Sequence, residues 1–177
     1  MSKERNLISG GIERTGGVWA DFGSGTGIFT RELRGLLGPT STLYSIERKA
    51  HDLDEQQRSM AALYPRTDIH YLQADFTQPL SLPPLDGILM ANALHFVRFE
   101  QQAAVLARIA AYLRRPGGRF ILVEYNARSG NPWVPYPIDL EAFKLLAEQA
   151  GLAEPVMLAA FPSRFMREMY AALALRP

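Results

Sequence analysis

Short apolar runs alternate with helical patterns along the chain, and this alternation restricts the fold more than any other feature of the sequence. Parallel strands need long crossover connections, which are usually helices that cover both faces of the sheet. Because such crossovers are right-handed, the pattern predicts an α/β fold with a doubly wound, Rossmann-like open sheet. The five predicted strands cover residues 17–22, 41–46, 69–74, 86–91 and 119–125.

The tail of the chain adds elements whose type the pattern only partly decides. Residues 155–161 predict a strand, whereas residues 166–175 allow two interpretations. Their Ala and Leu content favours a helix, and their place after another strand favours a hairpin partner. Helices are predicted near residues 28–37, 53–64 (where Leu53, Gln57 and Met60 recur at helical spacing), 103–113 and 139–150.

Three glycines at alternating positions, Gly23, Gly25 and Gly27, lie between the first predicted strand and the first helix. Residues without a Cβ atom permit a tight turn and a close approach of a ligand to the backbone. The free N–H groups at the start of the following helix suit an anion. An ordinary strand–helix turn is the alternative interpretation, so the glycines alone do not identify a ligand.

Acidic residues end three successive predicted strands. Asp21 precedes the glycines, Glu47 follows 26 positions later (47 − 21 = 26), and Asp75 is followed by Phe76. The interval is close to the roughly 20 residues that separate a glycine-rich loop from a ribose-binding acid. Asp75 could accept a hydrogen bond from an adenine amino group, while Phe76 offers a ring face. A solvated loop or a helix N-cap is the alternative for each acid taken singly.

These motifs resemble those of the class I S-adenosylmethionine-dependent methyltransferases, in the family's order and over nearly the whole chain. The resemblance implies a seven-stranded sheet with an antiparallel last strand, which favours the strand interpretation of the tail. It also implies methyl transfer by in-line displacement, with S-adenosylmethionine as the cofactor and S-adenosylhomocysteine as the product. The matching segments are the glycine-rich motif 21–27, the ribose acid in 44–48, the adenine pair 75–76, the fourth-strand motif 86–96 and the turn 115–120.

The resemblance assigns roles to individual residues. Asp21 and the glycine loop would face the methionine part of the cofactor, and Glu47 would bind its ribose. Arg48 would flank the adenine, and the backbone near Asn92 would lie close to the sulfonium. The predicted cofactor-binding residues are Asp21, Gly23, Ser24, Gly25, Thr26, Gly27, Glu47, Arg48, Asp75, Phe76, Asn92, Ala93 and Leu94.

The methyl acceptor is less closely specified. The segment Ala-Leu-His-Phe at 93–96 is similar to small-molecule methyltransferases, including those of quinone biosynthesis, and lacks the Asn-Pro-Pro-Tyr of many enzymes that methylate amide or adenine nitrogens. His95 is the candidate catalytic residue, as a base that takes a proton from an acceptor hydroxyl. Trp133 and Tyr136 are candidates for the acceptor pocket. The alternatives are a loop histidine that packs or caps, and two aromatic residues that cover the sheet edge.

Composition sets limits on the partners. The net charge of +1 gives no electrostatic reason to bind nucleic acid or an anionic membrane, and no apolar run of about 18 residues predicts a membrane span. The chain has no cysteine, and its three histidines lie far apart in sequence, so no metal site is expected. A cytoplasmic location fits this composition.

The domain organisation is expected to be simple: an N-terminal arm (1–16) before a single methyltransferase domain (17–177). The short arm and short insertions provide no obvious lid, so the arm itself or a second copy in a homodimer could cover the site. Two other functions stay open. A nicotinamide-dependent oxidoreductase would share the glycines and the ribose acid, although its usual spacing is G-x-G-x-x-G. A non-catalytic S-adenosylmethionine-binding module would keep the cofactor site without methyl transfer.

Overall fold

The computed structural model describes residues 2–177, which form one seven-stranded sheet with helices on both faces. The predicted strands are present, with bounds that differ from the prediction by one or two residues. A short 3-10 helix, Leu94–Phe96, follows the fourth strand. The other elements are α1 (Lys3–Ser9), β1 (Gly17–Phe22), α2 (Ile28–Leu37), β2 (Ser41–Glu47), α3 (Ala50–Leu63), β3 (Asp68–Gln73), β4 (Gly87–Ala91), α4 (Phe99–Ala110), β5 (Gly118–Tyr125), α5 (Leu140–Gln149), β6 (Val156–Pro162) and β7 (Glu168–Arg176).

The strand order is β3-β2-β1-β4-β5-β7-β6. The first five strands along the chain pair in parallel, and β7 lies antiparallel to both β5 and β6. The tail therefore forms a strand hairpin, which confirms the seven-stranded sheet with an antiparallel last strand. The order reverses between β1 and β4, and such a switch point is where open α/β sheets bind ligands.

The core lies on the two faces of the sheet. On one face Ala20 and Phe22 of β1 pack with the apolar sides of α4 and α5. On the other face Trp19, one position away on the same strand, packs with residues of α1 and α2. This alternation follows from the two-residue period of a strand and leaves Asp21, at the end of β1, pointing to the α2 side.

The N-terminal segment contains a helix that the sequence analysis does not predict. In α1, Leu7 and Ile8 are fully buried against α2 and the edge strand β6. Ser2 caps this helix by accepting a hydrogen bond from the backbone N–H of Arg5. Helix α1 is therefore anchored in the core by these two residues rather than laid over the carboxyl ends of the strands.

The buried polar residue of helix α3 is not the one that the sequence pattern indicates. Leu53 and Met60 are buried as expected, but the residue between them is Gln56, and Gln57 is exposed. The prediction for Gln57 is thus wrong by one position, because apolar spacing alone cannot show that a buried polar network lies beneath the helix. Among residues 2–177, no helix is both long enough and apolar enough to cross a membrane.

Candidate functional site

A crevice of about 290 Å³ opens at the carboxyl ends of the parallel strands, beside the switch point. It brings together side chains and backbone from the ends of β1, β2, β3 and β4, as expected for strands whose carboxyl ends share one edge. Most predicted cofactor-binding residues line it: Gly23, Gly25, Glu47, Arg48, Asp75, Phe76, Asn92 and Ala93. The crevice is also lined by residues that the prediction omits: Lys49, Asp52, Thr77, Phe96 and Val97.

The glycine loop is close-packed at two of its glycines and open at the third. All three have positive φ angles, which favour glycine. A Cβ atom at Gly23 would lie 2.5 Å from the Cβ of Ala93, and one at Gly27 would lie 2.4 Å from the side chain of Gln56. A Cβ at Gly25 would meet no protein atom within 4 Å. The loop therefore leaves free space over Gly25, where a ligand could approach the backbone.

Glu47 fastens the glycine loop to the end of β2. Its Oε2 accepts a hydrogen bond from the N–H of Gly25 at 3.0 Å, and its Oε1 accepts one from the N–H of Lys49 at 2.9 Å. The residue is buried, yet its carboxylate borders the crevice. Because a carboxylate has about four lone-pair positions, each oxygen keeps capacity for a further donor such as a ligand hydroxyl.

Asp21 is buried beneath the loop and titrates unusually. Burial raises the pKa of Asp21 to about 7, the neighbouring charge of Glu47 adds to the rise, and the hydrogen bond from Thr30 opposes it. The Thr30 hydroxyl donates to Oδ2 at 2.7 Å, whereas Oδ1 is buried with no hydrogen-bond partner within residues 2–177. A buried polar atom without a partner is rare in folded proteins.

Asn92 carries the second such atom. It follows β4 with a φ of 51°, and its Oδ1 is also buried without a hydrogen-bond partner among the described residues. Its backbone is fixed by a hydrogen bond to the carbonyl of Val123 at 2.8 Å. These two acceptors lie at the ends of the adjacent strands β1 and β4, so the site suits a ligand that brings N–H donors.

A buried polar network supports the loop from the α3 side. Gln56 donates from Nε2 to the Thr30 hydroxyl at 2.5 Å and accepts from the Ser45 hydroxyl at 2.7 Å. Ser45 also lies 2.7 Å from the hydroxyl of Ser24, a predicted site residue that does not itself line the crevice. Gln56, Thr30 and Ser45 were not predicted, because nothing in their spacing separates them from ordinary surface polar residues.

The end of β3 supplies the other wall. Asp75 is exposed, and its Oδ1 accepts hydrogen bonds from the N–H and the hydroxyl of Thr77 at 2.9 and 2.7 Å. Its Oδ2 makes no protein hydrogen bond among residues 2–177 and is available to a ligand. Phe76 is half-buried, and its ring passes close to Gly23. Together they form a carboxylate and a ring face at one end of the crevice.

Several predicted site residues lie away from the crevice wall. Asp21 lies beneath the loop, Gly27 is buried against Gln56 at the end of the loop, Leu94 is in the core, and Thr26 is half-buried. His95 is buried between crevice-lining residues, and its ring Nδ1 lies 2.8 Å from Oε2 of Glu124. The lining residues do not include Trp133, which is exposed, or Tyr136, whose ring packs edge-on against Phe99.

Glu124 is a further residue that the prediction misses, although a signal was present. It is an acid near the end of the fifth predicted strand, as Asp21, Glu47 and Asp75 are at the first three. Its side chain is fully buried, its Oε1 accepts a hydrogen bond from the backbone N–H of His95, and its Oε2 lies 2.8 Å from the ring Nδ1 of the same residue.

A second crevice, of about 370 Å³, lies at the opposite ends of the strands and contains none of the predicted site residues. It is lined by Arg14, Arg114, Arg115 and Arg119, of which Arg114 pairs with Asp86. Although it is the larger recess, it lies at the amino ends of the parallel strands, away from the switch point. Within residues 2–177, no three histidine or acidic side chains are grouped so as to hold a metal ion.

Comparison with known proteins gives one family match and related sequences. The family described as "Methyltransferase domain" matches residues 20–118. The ubiquinone/menaquinone biosynthesis C-methyltransferase UbiE of Pseudomonas savastanoi pv. phaseolicola is 26% identical over 136 residues, which cover 68% of this chain and 52% of that protein. The same figures hold for UbiE of Pseudomonas syringae pv. syringae. The chain thus spans about half the length of the curated relatives it matches.

Solved structures share the fold. The magnesium protoporphyrin IX methyltransferase of Synechocystis PCC 6803, determined with bound S-adenosylmethionine, has a TM-score of 0.71 and 18% identity, covering 92% of this chain and 71% of that one. The 1,6-didemethyltoxoflavin-N1-methyltransferase of Burkholderia thailandensis, with its acceptor and S-adenosylhomocysteine bound, has a TM-score of 0.71 and 17% identity, covering 92% and 72%. At these identities the likeness concerns the fold.

Proposed function

The chain belongs to the methyltransferase-domain family, and from this premise we propose that it is an S-adenosylmethionine-dependent methyltransferase acting on a small molecule. The observation that carries the proposal is the pair of buried acceptors without partners, Asp21 Oδ1 and Asn92 Oδ1, beside an open glycine loop. An amino-acid ammonium group supplies the missing N–H donors, and a nucleoside suits the carboxylates at the ends of β2 and β3.

The residues of the crevice, together with Asp21 beneath the glycine loop, divide the cofactor between them. Asp21 and the backbone around Gly25 hold its amino-acid end. Glu47 accepts hydrogen bonds from the ribose hydroxyls with the lone pairs that Gly25 and Lys49 leave free. Arg48, Asp75 and Phe76 border the adenine, and the carboxylate of Asp75 accepts from its amino group.

The bound cofactor supplies a methyl group on a sulfonium, which is already a strong leaving group. The chain therefore needs no acid–base dyad to activate that group, and its task is to align the acceptor and to exclude water. Alignment of two reactants in a fixed geometry is worth roughly 7–11 kcal/mol of the barrier. The fixed backbone of Asn92 and Ala93 at the crevice wall provides such a reference surface.

The acceptor side of the site lies beyond Asn92, where Phe96 borders the crevice and is largely exposed. Tyr136 is tied to this region because its backbone N–H donates to the carbonyl of His95 at 3.0 Å. We propose that the side chains of Tyr136 and Trp133 contact the acceptor. Relatives whose names describe quinone, porphyrin and toxoflavin substrates support a small-molecule acceptor.

Calorimetric titration with S-adenosylhomocysteine tests the proposal directly, with NADH as the competing ligand. The expected result is one site for S-adenosylhomocysteine that NADH does not occupy, and a strongly weakened site in the Glu47→Gln variant. A site that prefers NADH would replace the proposal with the oxidoreductase. Binding of S-adenosylmethionine without transfer of its labelled methyl group to any compound of a broad acceptor panel would favour the non-catalytic module.

A further inference from the structure

His95 and Glu124 form a buried pair immediately behind the acceptor side of the crevice. His95 is 2% exposed and Glu124 is fully buried. Residues on both sides of His95 in the chain, Ala93 and Phe96, line the crevice. Glu124 is the penultimate residue of β5 and lies beside Asn92, because the N–H of Asn92 donates to the carbonyl of Val123, the residue before Glu124. The pair therefore lies next to the proposed reaction centre, although neither the cofactor contacts nor the core requires a titratable group there.

The hydrogen bonds of the pair fix the protonation pattern of the imidazole. Glu124 accepts from the backbone N–H of His95 through Oε1 at 3.1 Å, and its Oε2 lies 2.8 Å from ring Nδ1. If Glu124 is a carboxylate, it can only accept hydrogen bonds, and this contact then requires a proton on Nδ1. In the neutral ring the lone pair is then on Nε2, which makes no hydrogen bond within residues 2–177. Nε2 is not a fully buried atom, unlike the unpartnered oxygens of Asp21 and Asn92.

Aromatic rings surround His95 and lead from the crevice towards the β6–β7 loop. The His95 ring lies 4.3 Å from the ring of Phe96 and 5.5 Å from that of Tyr125, measured between centroids. Tyr125 in turn packs edge-on against Phe165 at 6.5 Å. Phe96 and Phe165 are both partly exposed. In this aromatic track, Phe96–His95–Tyr125–Phe165, the two end rings are exposed and offer faces and edges that suit a flat, apolar ring, whereas His95 and Tyr125 are buried behind them.

We infer that the acceptor is a planar aromatic compound bearing a hydroxyl group, that Nε2 of His95 takes its proton, and that Glu124 is the positioning residue that holds Nδ1–H. The inference rests on the proposed function and names the substrate class for it. In the balanced step, the acceptor oxygen gives its proton to Nε2 and forms a bond to the methyl carbon. The electron pair of the broken carbon–sulfur bond stays on sulfur.

A purely structural role would be to anchor the 3-10 helix through the backbone N–H of His95. That role would use only Oε1 of Glu124. It would not explain the contact between Oε2 and the imidazole ring. Buried pairs of this kind are also poor sources of stability, because the cost of removing the carboxylate from water offsets much of the gain. A base role requires instead that Nε2 reach an acceptor in the crevice, whose wall includes the neighbouring residues Ala93 and Phe96.

The first test measures the protein without a bound ligand and without a change at His95 or Glu124. Nitrogen-15 NMR of the ligand-free protein, labelled at histidine, reports the protonation of each ring nitrogen, with His51→Gln and His70→Gln used for assignment. We expect His95 at neutral pH to carry its proton on Nδ1 and a lone pair on Nε2. A ring protonated only at Nε2, or at both nitrogens, would overturn the inference, because Nε2 could then accept no proton.

The second test compares two acceptors of different acidity, phenol and 4-nitrophenol, at a pH at which only the latter is largely ionised. General-base catalysis contributes typically about 10²–10⁴-fold, so His95→Gln should lower kcat on phenol by that factor, with little change in KM. The loss should nearly vanish on 4-nitrophenol, which has no proton to give up. Glu124→Gln should show the same selective loss.

The control is His70→Gln, which removes an exposed histidine that lies 3.0 Å from Asp68 on the edge strand β3. It should leave the rates on both acceptors unchanged. Equal losses on phenol and 4-nitrophenol in His95→Gln would refute the base role. Failure of the unaltered protein to methylate either compound, while it binds S-adenosylhomocysteine, would refute the acceptor class alone. Failure to bind S-adenosylhomocysteine would instead refute the proposed function.

Discussion

Replacing Asp21 by Asn is expected to have opposite effects on stability and on ligand binding. The carboxyl is buried, its Oδ1 has no partner within residues 2–177, and burial raises its pKa from 3.8 to about 7. The folded protein therefore binds a proton at Asp21 that the unfolded chain has already released, and stability falls as the pH rises through this interval. Between the two pKa values the free energy of unfolding falls by about 1.4 kcal/mol per pH unit. By pH 7 and above, this free energy is about 4 kcal/mol lower than at a pH below both pKa values.

Denaturant unfolding of the ligand-free protein measures this effect. Between pH 5 and pH 8 the unaltered protein should lose about 2.5 kcal/mol relative to Asp21→Asn, because a neutral amide has no charge to desolvate. The free energy of unfolding of Asp21→Asn should therefore exceed that of the unaltered protein at pH 8. Its advantage over the unaltered protein should be smallest at pH 5. Unfolding free energies whose difference stays constant over this range would refute the assigned titration of Asp21.

Binding of S-adenosylhomocysteine should move in the other direction. If its ammonium group is held by the Asp21 carboxylate, only the ionised fraction binds, and affinity should fall about 50-fold from pH 7 to pH 5. Asp21→Asn should bind weakly at both values and lack this pH dependence. Calorimetry at a series of pH values measures both. An unchanged affinity in the variant at pH 7 would show that Asp21 does not face the ligand.

Three other substitutions test separate parts of the structure. Gly25→Ala should weaken binding of S-adenosylhomocysteine at least tenfold in calorimetry, because its Cβ would enter only the space proposed for the ligand. The control is Gly117→Ala, at a position that is equally open and also has a positive φ but lies at the opposite ends of the strands. It should leave the affinity unchanged. Glu47→Gln should lower stability by about 1–3 kcal/mol in denaturant unfolding, since an amide cannot accept both backbone N–H groups. Phe143→Ala, fully buried against Phe120, should lower the free energy of unfolding by about 3–5 kcal/mol without altering the affinity of the folded protein.

The fold could be predicted in large part because its determinants are local or periodic. Apolar runs and glycine stops indicate strands, and their alternation with helices fixes the parallel sheet. The type of the tail element was not decidable from its own residues, since Ala and Leu occur in both helices and buried strands; the family resemblance favoured the strand that is observed. Helix α1 was missed because two buried residues within a charged segment give little periodic signal.

The position of a predicted site residue follows from the sequence where that residue lies at a strand end. Gly23, Gly25, Glu47 and Asp75 meet at one crevice because parallel strands present their carboxyl ends together. Side chains that act through others were not predictable in this way. Gln56 reaches the loop from a helix whose sequence pattern points to its neighbour, since a one-residue shift in a helical register changes which side chain faces inward.

The link from Glu47 to both the glycine loop and the start of α3 has a kinetic consequence for the proposed activity. Two backbone N–H groups hold the recess in shape before anything enters it. Donor and demethylated product therefore meet the same preformed opening, and they differ only in the methyl group on sulfur and in the charge of that sulfur. An enzyme built in this way would respond to the ratio of the two compounds in its surroundings, and removal of the product would set its throughput as much as supply of the donor.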